Sequence, residues 1–256
     1  MSSSILFLLA SAIWGSTFLA ITLQLGHVAP AVSVVYRFAL ASLTLFAICR
    51  FRGDKLWLPW KTQAWLVAHG SCAFALSYVC TYLSEQYLVS ALVAVLFTLL
   101  VIWNPIGEKI FFGHALTWRI WCAGLLSLLG VTFLFWHSLH ASWVALTSNS
   151  DNQHGKFLFG LALALVATFA STAGNLLVVK VRQQSKNVFL TTAWAMLWGT
   201  LLVAGYVIIT GQAWQIPSSA SYWISLMYLA FFGSVIAFTA YFVLIDRWGG
   251  HKAVYV

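Results

Sequence analysis

Eight apolar runs follow one another along the chain, near Ser4–Leu23, Val32–Cys49, Ala64–Leu83, Ser90–Ile110, Thr117–His137, Lys156–Val179, Val188–Thr210 and Tyr222–Ile245. A helix of about 20 mostly apolar residues crosses a bilayer while satisfying its own backbone hydrogen bonds. Strands of a membrane barrel would instead alternate in polarity over segments of about ten residues, and runs such as Ala91–Trp103 do not alternate. The pattern therefore predicts an all-α, polytopic membrane protein. Most linkers are short and carry turn residues, Gly26 with Pro30, Gly53 with Pro59 and Gly211 with Pro217. Only 138–155 is long, and its polar stretch Thr147–Gly155 reads as a seam between two halves.

Composition agrees. The chain is 62% hydrophobic and 7% charged, far below the roughly 25% charged residues of soluble domains. The formal charge of +8 does not point to nucleic acid, because the basic residues sit in small clusters between runs. With the N-terminus in the cytoplasm, eleven of the thirteen Lys and Arg face the cytoplasm, all but Arg37 and Lys156, and the positive-inside rule selects that orientation. Met1–Ser4 lacks a basic residue, so the first run does not read as a cleaved signal. Cys49, Cys72, Cys80 and Cys122 form no CxxC pair and read as packing residues; no metal or other cofactor is expected.

Two segments repeat in order. Ala10–Thr17 (ASAIWGST) aligns with Leu165–Thr172 (LVATFAST); Glu85 ends the third run as Asp246 ends the eighth, and Val89–Val95 then aligns with Gly250–Val256. A shift of five spans is odd, so the copies enter the membrane from opposite sides. Such inverted repeats belong to secondary transporters, whose site lies near the midplane between the halves. This gives a first repeat over 1–145, a linker over 146–155 and a second repeat over 156–256, with His251–Val256 opening a ninth helix. The second repeat then holds three helices and the start of a fourth, against five in the first.

Ile13–Phe18 (IWGSTF), Tyr36–Leu43 (YRFALASL), Ser90–Glu108 with Pro105 and Gly107, Gly124–Leu134 (GLLSLLGVTFL) and Leu229–Ala253 together resemble the EamA family of the drug/metabolite transporter superfamily. The resemblance implies ten helices in two inverted five-helix repeats, a central cavity, and export or exchange of amino acids or other small metabolites.

Candidate substrate-binding residues come from polar and aromatic positions inside the runs. Arg37 is the one strongly basic residue well inside a run. Such a charge costs at least about 2.5–3.5 kcal/mol at the helix centre, so it needs a partner or an aqueous cavity. It reads either as a counter-charge for a substrate carboxylate or as a snorkelling side chain. His69 reads as a proton-sensing group or a hydrogen-bonded packing residue. Tyr78 and Tyr82, four residues apart with Ser71 on a related face, read as cavity lining or, for Tyr82 and Tyr87, as interface anchors. Trp14 and Phe169 hold matching repeat positions and are placed across the site from each other. Asn104 precedes Pro105, which removes a backbone donor and opens or kinks the helix. Asn175, Ser171 and Thr172 supply polar groups to substrate or to neighbouring helices, and Glu108 is expected to end its helix at the cytoplasmic surface.

HExxH and GxSxG are absent, so the reading is not an enzyme. It is a secondary transporter in the plasma membrane, the bacterial inner membrane, taking an amino acid or similar metabolite by alternating access in a lipid bilayer. The alternative is a scaffold or channel subunit that needs a partner chain.

Overall fold

The computed structural model describes residues 1–113, 118–134, 136–137, 140, 143–144 and 151–256. The helices are α1 (Ser3–Thr22), α2 (Pro30–Phe51), α3 (Trp60–Ser84), α4 (Ser90–Phe112), α5 (Trp118–Leu134), α6 (Asp151–Gln184), α7 (Val188–Ile209), α8 (Ala220–Trp248) and α9 (Gly250–Ala253). Seven of them are long and apolar enough to cross a membrane; α5, of 17 residues, covers most of the fifth expected run. Residues 145–150 lie outside the described residues, and Asp151 already opens α6.

Local sequence sets the helix ends. Ser2, Asn187 and Ser219 cap α1, α7 and α8 with side-chain oxygens on backbone N–H groups. Pro30 starts α2, where its missing N–H costs nothing. Gly113 at φ 71° and Gly249 at φ 82° take the left-handed backbone that ends α4 and α8. Consecutive helices run antiparallel, so one end of the bundle gathers the turns at 23–29, 85–89 and 210–219, and the other gathers 52–59, 185–187 and 249. These are the Glu85 end and the Asp246 end below. Arg247 donates to the Met1 carbonyl at 3.1 Å, tying the N-terminus to the latter.

Lipid tails are as apolar as leucine, so helix association rests on close packing and interhelical hydrogen bonds. α7 lies along α2, and α3 wedges against both α6 and α7. Small residues allow this: a Cβ on Gly70 would come 2.3 Å from the Ala195 carbonyl oxygen, and one on Gly174 would come 2.6 Å from the Ala73 Cβ. Phe38, Leu45, Phe74, Met196, Leu229 and Phe242 fill the interior between them.

Two helices share an irregularity. α3 widens into a π-helical segment at Ser71–Leu76 and α8 does so at Phe231–Ile236, each beginning after eleven α-helical residues. These are the third and eighth runs, which the sequence aligns. α4 tightens instead of widening. Thr98, Leu99, Val101 and Ile102 each bond three residues back at 2.9–3.1 Å, and the helix then continues through Pro105.

Candidate functional site

Arg37 lies seven residues into α2, about 10 Å along the helix from the Glu85 end at 1.5 Å per residue. It does not snorkel: it is 1% exposed, and its guanidinium points into the protein. Nε donates to Ser234 Oγ at 3.0 Å, and Nη1 donates to the Tyr82 hydroxyl at 3.5 Å. The guanidinium carbon stands 4.8 Å from the Tyr78 ring centroid and 5.3 Å from that of Phe38, within cation–π range. Nη2 finds no hydrogen-bond partner among the described residues. It rests over Gly233, where a Cβ would approach it to 3.1 Å.

The π segment of α8 shapes this surface. Ser234, inside it, donates its hydroxyl to the Leu229 carbonyl five residues back at 2.9 Å while accepting from Arg37. The Gly233 carbonyl accepts from Trp14 Nε1 at 3.1 Å. Widening therefore turns two polar groups of α8 outward, toward α1 and α2. The Trp14 ring packs edge-on against Phe238 and tilted against Tyr241, both at 5.0 Å. On the other side, the Tyr82 hydroxyl donates to Gln24 Oε1 at 3.2 Å. Tyr82 is fully buried, so it is not an interface anchor; Tyr87, 38% exposed, lies at the protein's outside.

A second group forms where α6 meets α3 and α4. His69 is 1% exposed, with Nδ1 3.0 Å from the Gly174 carbonyl oxygen and Nε2 without a partner among the described residues. Next along α6, Asn175 Nδ2 donates to Asn104 Oδ1 at 3.3 Å, and one turn earlier the Ser171 and Ser77 hydroxyls bond at 2.6 Å. Aromatic contacts link the two groups: His69 to Phe74 at 5.4 Å, Phe74 to Phe38 at 5.2 Å, and Phe38 beneath Arg37.

Of the residues expected to bind substrate, Arg37, Tyr78, Tyr82 and Trp14 thus converge on one surface, while His69, Asn104 and Asn175 adjoin it. Phe169 stands apart. It is 52% exposed and lies against Trp103 at 4.8 Å, so it does not face Trp14. The Ser71 hydroxyl turns back to the Val67 carbonyl of its own helix. Glu108 does not end its helix at a surface; α4 runs on to Phe112, and Glu108 is 4% exposed. Gln24, Glu85 and Ser234 belong to the Arg37 network without having been singled out. Gln24 and Glu85 lie just beyond apolar runs, and serine is too common in membrane helices to signal a role.

One more buried charge lies at the Asp246 end. Arg182, 4% exposed near the end of α6, grips the Asp246 carboxylate with Nε at 2.9 and 3.0 Å and also with Nη2, and donates to the Lys186 carbonyl at 2.6 Å. This charge-assisted fork joins α6 to α8.

No curated protein matches the chain. A solved crystal structure of a protein superimposes with a TM-score of 0.74 at 16% identity, over 99% of this chain and 84% of that one, which establishes likeness of fold. The sequence of residues 1–136 matches the EamA-like transporter family. The chain, a multi-pass membrane protein of the drug/metabolite transporter type, belongs to that family.

Proposed function

We propose that the protein exports or exchanges small carboxylate-bearing metabolites, such as amino acids, by alternating access between two inverted repeats, 1–145 and 156–256. The reading places it in the bacterial inner membrane with its N-terminus in the cytoplasm, where the clustered basic residues favour it. One observation carries the substrate class: a guanidinium buried among aromatic rings whose one NH₂ group has no partner among the described residues. A buried charge this deep needs a countercharge, and a planar carboxylate suits a guanidinium better than it suits an ammonium. Tyr78 and Trp14 supply ring faces for the rest of the substrate, and the hydroxyl of Tyr82 orients the guanidinium.

The test is counterflow of labelled L-threonine, L-leucine and L-phenylalanine in liposomes carrying the full-length protein. Saturable exchange is expected in the wild type. It should be abolished in Arg37→Ala and cut sharply in Arg37→Lys, which keeps charge and loses the fork, while Tyr78→Ala raises KM. Undiminished exchange in Arg37→Ala removes Arg37 from the pathway. No exchange with any of the three, in protein shown to be folded, counts for the scaffold reading.

A further inference from the structure

Glu85 and Asp246 lie at the ends of the two helices, α3 and α8, that the sequence aligns; each carries a π segment, beginning 14 residues before Glu85 and 15 before Asp246. Their states differ. Asp246 is held by the buried Arg182 at its end of the bundle, whereas both carboxylate oxygens of Glu85 lack hydrogen-bond partners among the described residues, although Glu85 is 6% exposed. Arg37, whose charge acts on Glu85, has its Nη2 unpartnered among the described residues, and Gln24, which accepts from Tyr82, has its Nε2 in the same state. One end of the bundle is thus latched by an acid–arginine fork, while the other holds the same two chemical groups unjoined.

We propose that Glu85 is the second latch: its carboxylate closes onto the unpartnered Nη2 of Arg37, and so competes with the carboxylate of an anionic substrate for the same donor. The balance is simple. Substrate binding at Arg37 displaces the Glu85 carboxylate, which takes up one proton from water; release of the substrate lets Glu85 lose that proton and re-form the pair. No bond other than O–H is made or broken. Glu85 is a positioning residue here, setting when Arg37 is available.

The surroundings permit the exchange. Burial pushes the Glu85 carboxyl up to about 8, with the Arg37 charge opposing. From its own helix, Tyr82 lies within electrostatic reach and donates to Gln24, the uncharged residue that the turn after α1 contributes. Lys156 and His27, also at this end, are exposed.

This inference rests on the transport reading for its consequence and on an independent measurement for its chemistry. Infrared difference spectra of the reconstituted full-length protein across a pH sweep should show a protonated-carboxyl band that disappears with a midpoint near 8. Glu85→Gln should remove the band, and Arg37→Gln should move its midpoint higher, because the pairing cation is lost. In counterflow of L-leucine, KM should rise about tenfold per pH unit above that midpoint, as one-proton linkage requires, with kcat little changed. In Glu85→Gln, KM should be flat with pH. A band untouched by Glu85→Gln, or a midpoint untouched by Arg37→Gln, overturns the latch whatever the transport data show. A KM slope surviving in Glu85→Gln overturns the competition. Absence of any counterflow with both infrared results in place overturns the transport reading and leaves the latch standing.

Discussion

The notch between α3 and α7 is the sharpest place to test the packing. Gly70 and Gly199 face each other there: a Cβ on Gly70 would stand 2.3 Å from the Ala195 carbonyl oxygen and 3.0 Å from the Gly199 nitrogen, against 3.4 Å or more for ordinary contact. Both obstacles are backbone and cannot rotate away, so Gly70→Ala must part the two helices by about 1 Å. A gap of 0.5–1 Å forfeits roughly a quarter to a half of each contact well along the seam. Overpacking typically costs about 1–3 kcal/mol, and an obstacle made of backbone places this case at the upper end. The helices also position His69 and Phe74, so its effects reach the Gly174 hydrogen bond. Gly15 in α1 supplies the control, since a Cβ there would meet nothing within 4 Å. Gly15→Ala should stabilise by about 0.4–1 kcal/mol, by restricting the unfolded chain. Thermal unfolding in one detergent, followed by tryptophan fluorescence, compares them directly. A Gly70→Ala protein as stable as wild type, beside an unchanged or improved Gly15→Ala, would refute the seam.

Two further substitutions follow from buried polar contacts. Asp246→Ala leaves the buried Arg182 guanidinium without its carboxylate, and stranding a buried charged donor costs about 1–3 kcal/mol or more; the melting temperature in detergent should fall by more than in Asp54→Ala, whose partner Arg52 is exposed to water. Trp198→Phe removes the 2.9 Å bond from Nε1 to Gln63 Oε1. Gln63 is 1% exposed, and its Nε2 already lacks a partner among the described residues, so stranding its oxygen should cost about 1–3 kcal/mol, and Trp198→Phe with Gln63→Leu should recover much of the loss.

The bundle was legible because hydrocarbon imposes long uninterrupted helices, and uninterrupted apolar runs are what the sequence displays. Arg37 was legible for the same reason, a charge where charges are costly. The pairings were not. Ser234 meets Arg37 across 197 residues, and nothing near Ser234 in sequence reports that α8 is π-helical there. Glu85 hid by position, two residues past an apolar run, where acids ordinarily meet water; its burial comes from the packing around it. Phe169 misled by its repeat match to Trp14. The alignment fixes depth along a helix, while the face presented depends on rotation about the axis, and α6 turns Phe169 outward against Trp103. The polar stretch at 151–155 lies in the first turns of α6, where helix N-termini in water tolerate polar residues as readily as loops do.

The two π segments give the network a way to move. A helix widened by one residue holds its turns with an altered hydrogen-bond register, and such segments recur at functional sites. In α8 the altered turns are steadied from outside, by Trp14 on the Gly233 carbonyl and by Arg37 on Ser234. In α3 the segment begins immediately after His69 and Gly70, whose partners lie on α6 and α7. Each segment therefore leans on helices assigned to the opposite repeat or to the hairpin beside it, α8 through two hydrogen bonds and α3 through the close packing of Ala73 and Phe74 on Gly174 and Gly199. Under the proposed alternating access, the α8 bonds can exchange singly, at about 0.5–1.5 kcal/mol each, without stripping any helix of its ladder. Arg37 stands at the junction. It is fixed by α8 through Ser234 and touched by α3 through Tyr82 and Tyr78, while its buried Nη2 has no partner among the described residues; under the proposed transport, the occupant of that one donor biases how the halves sit.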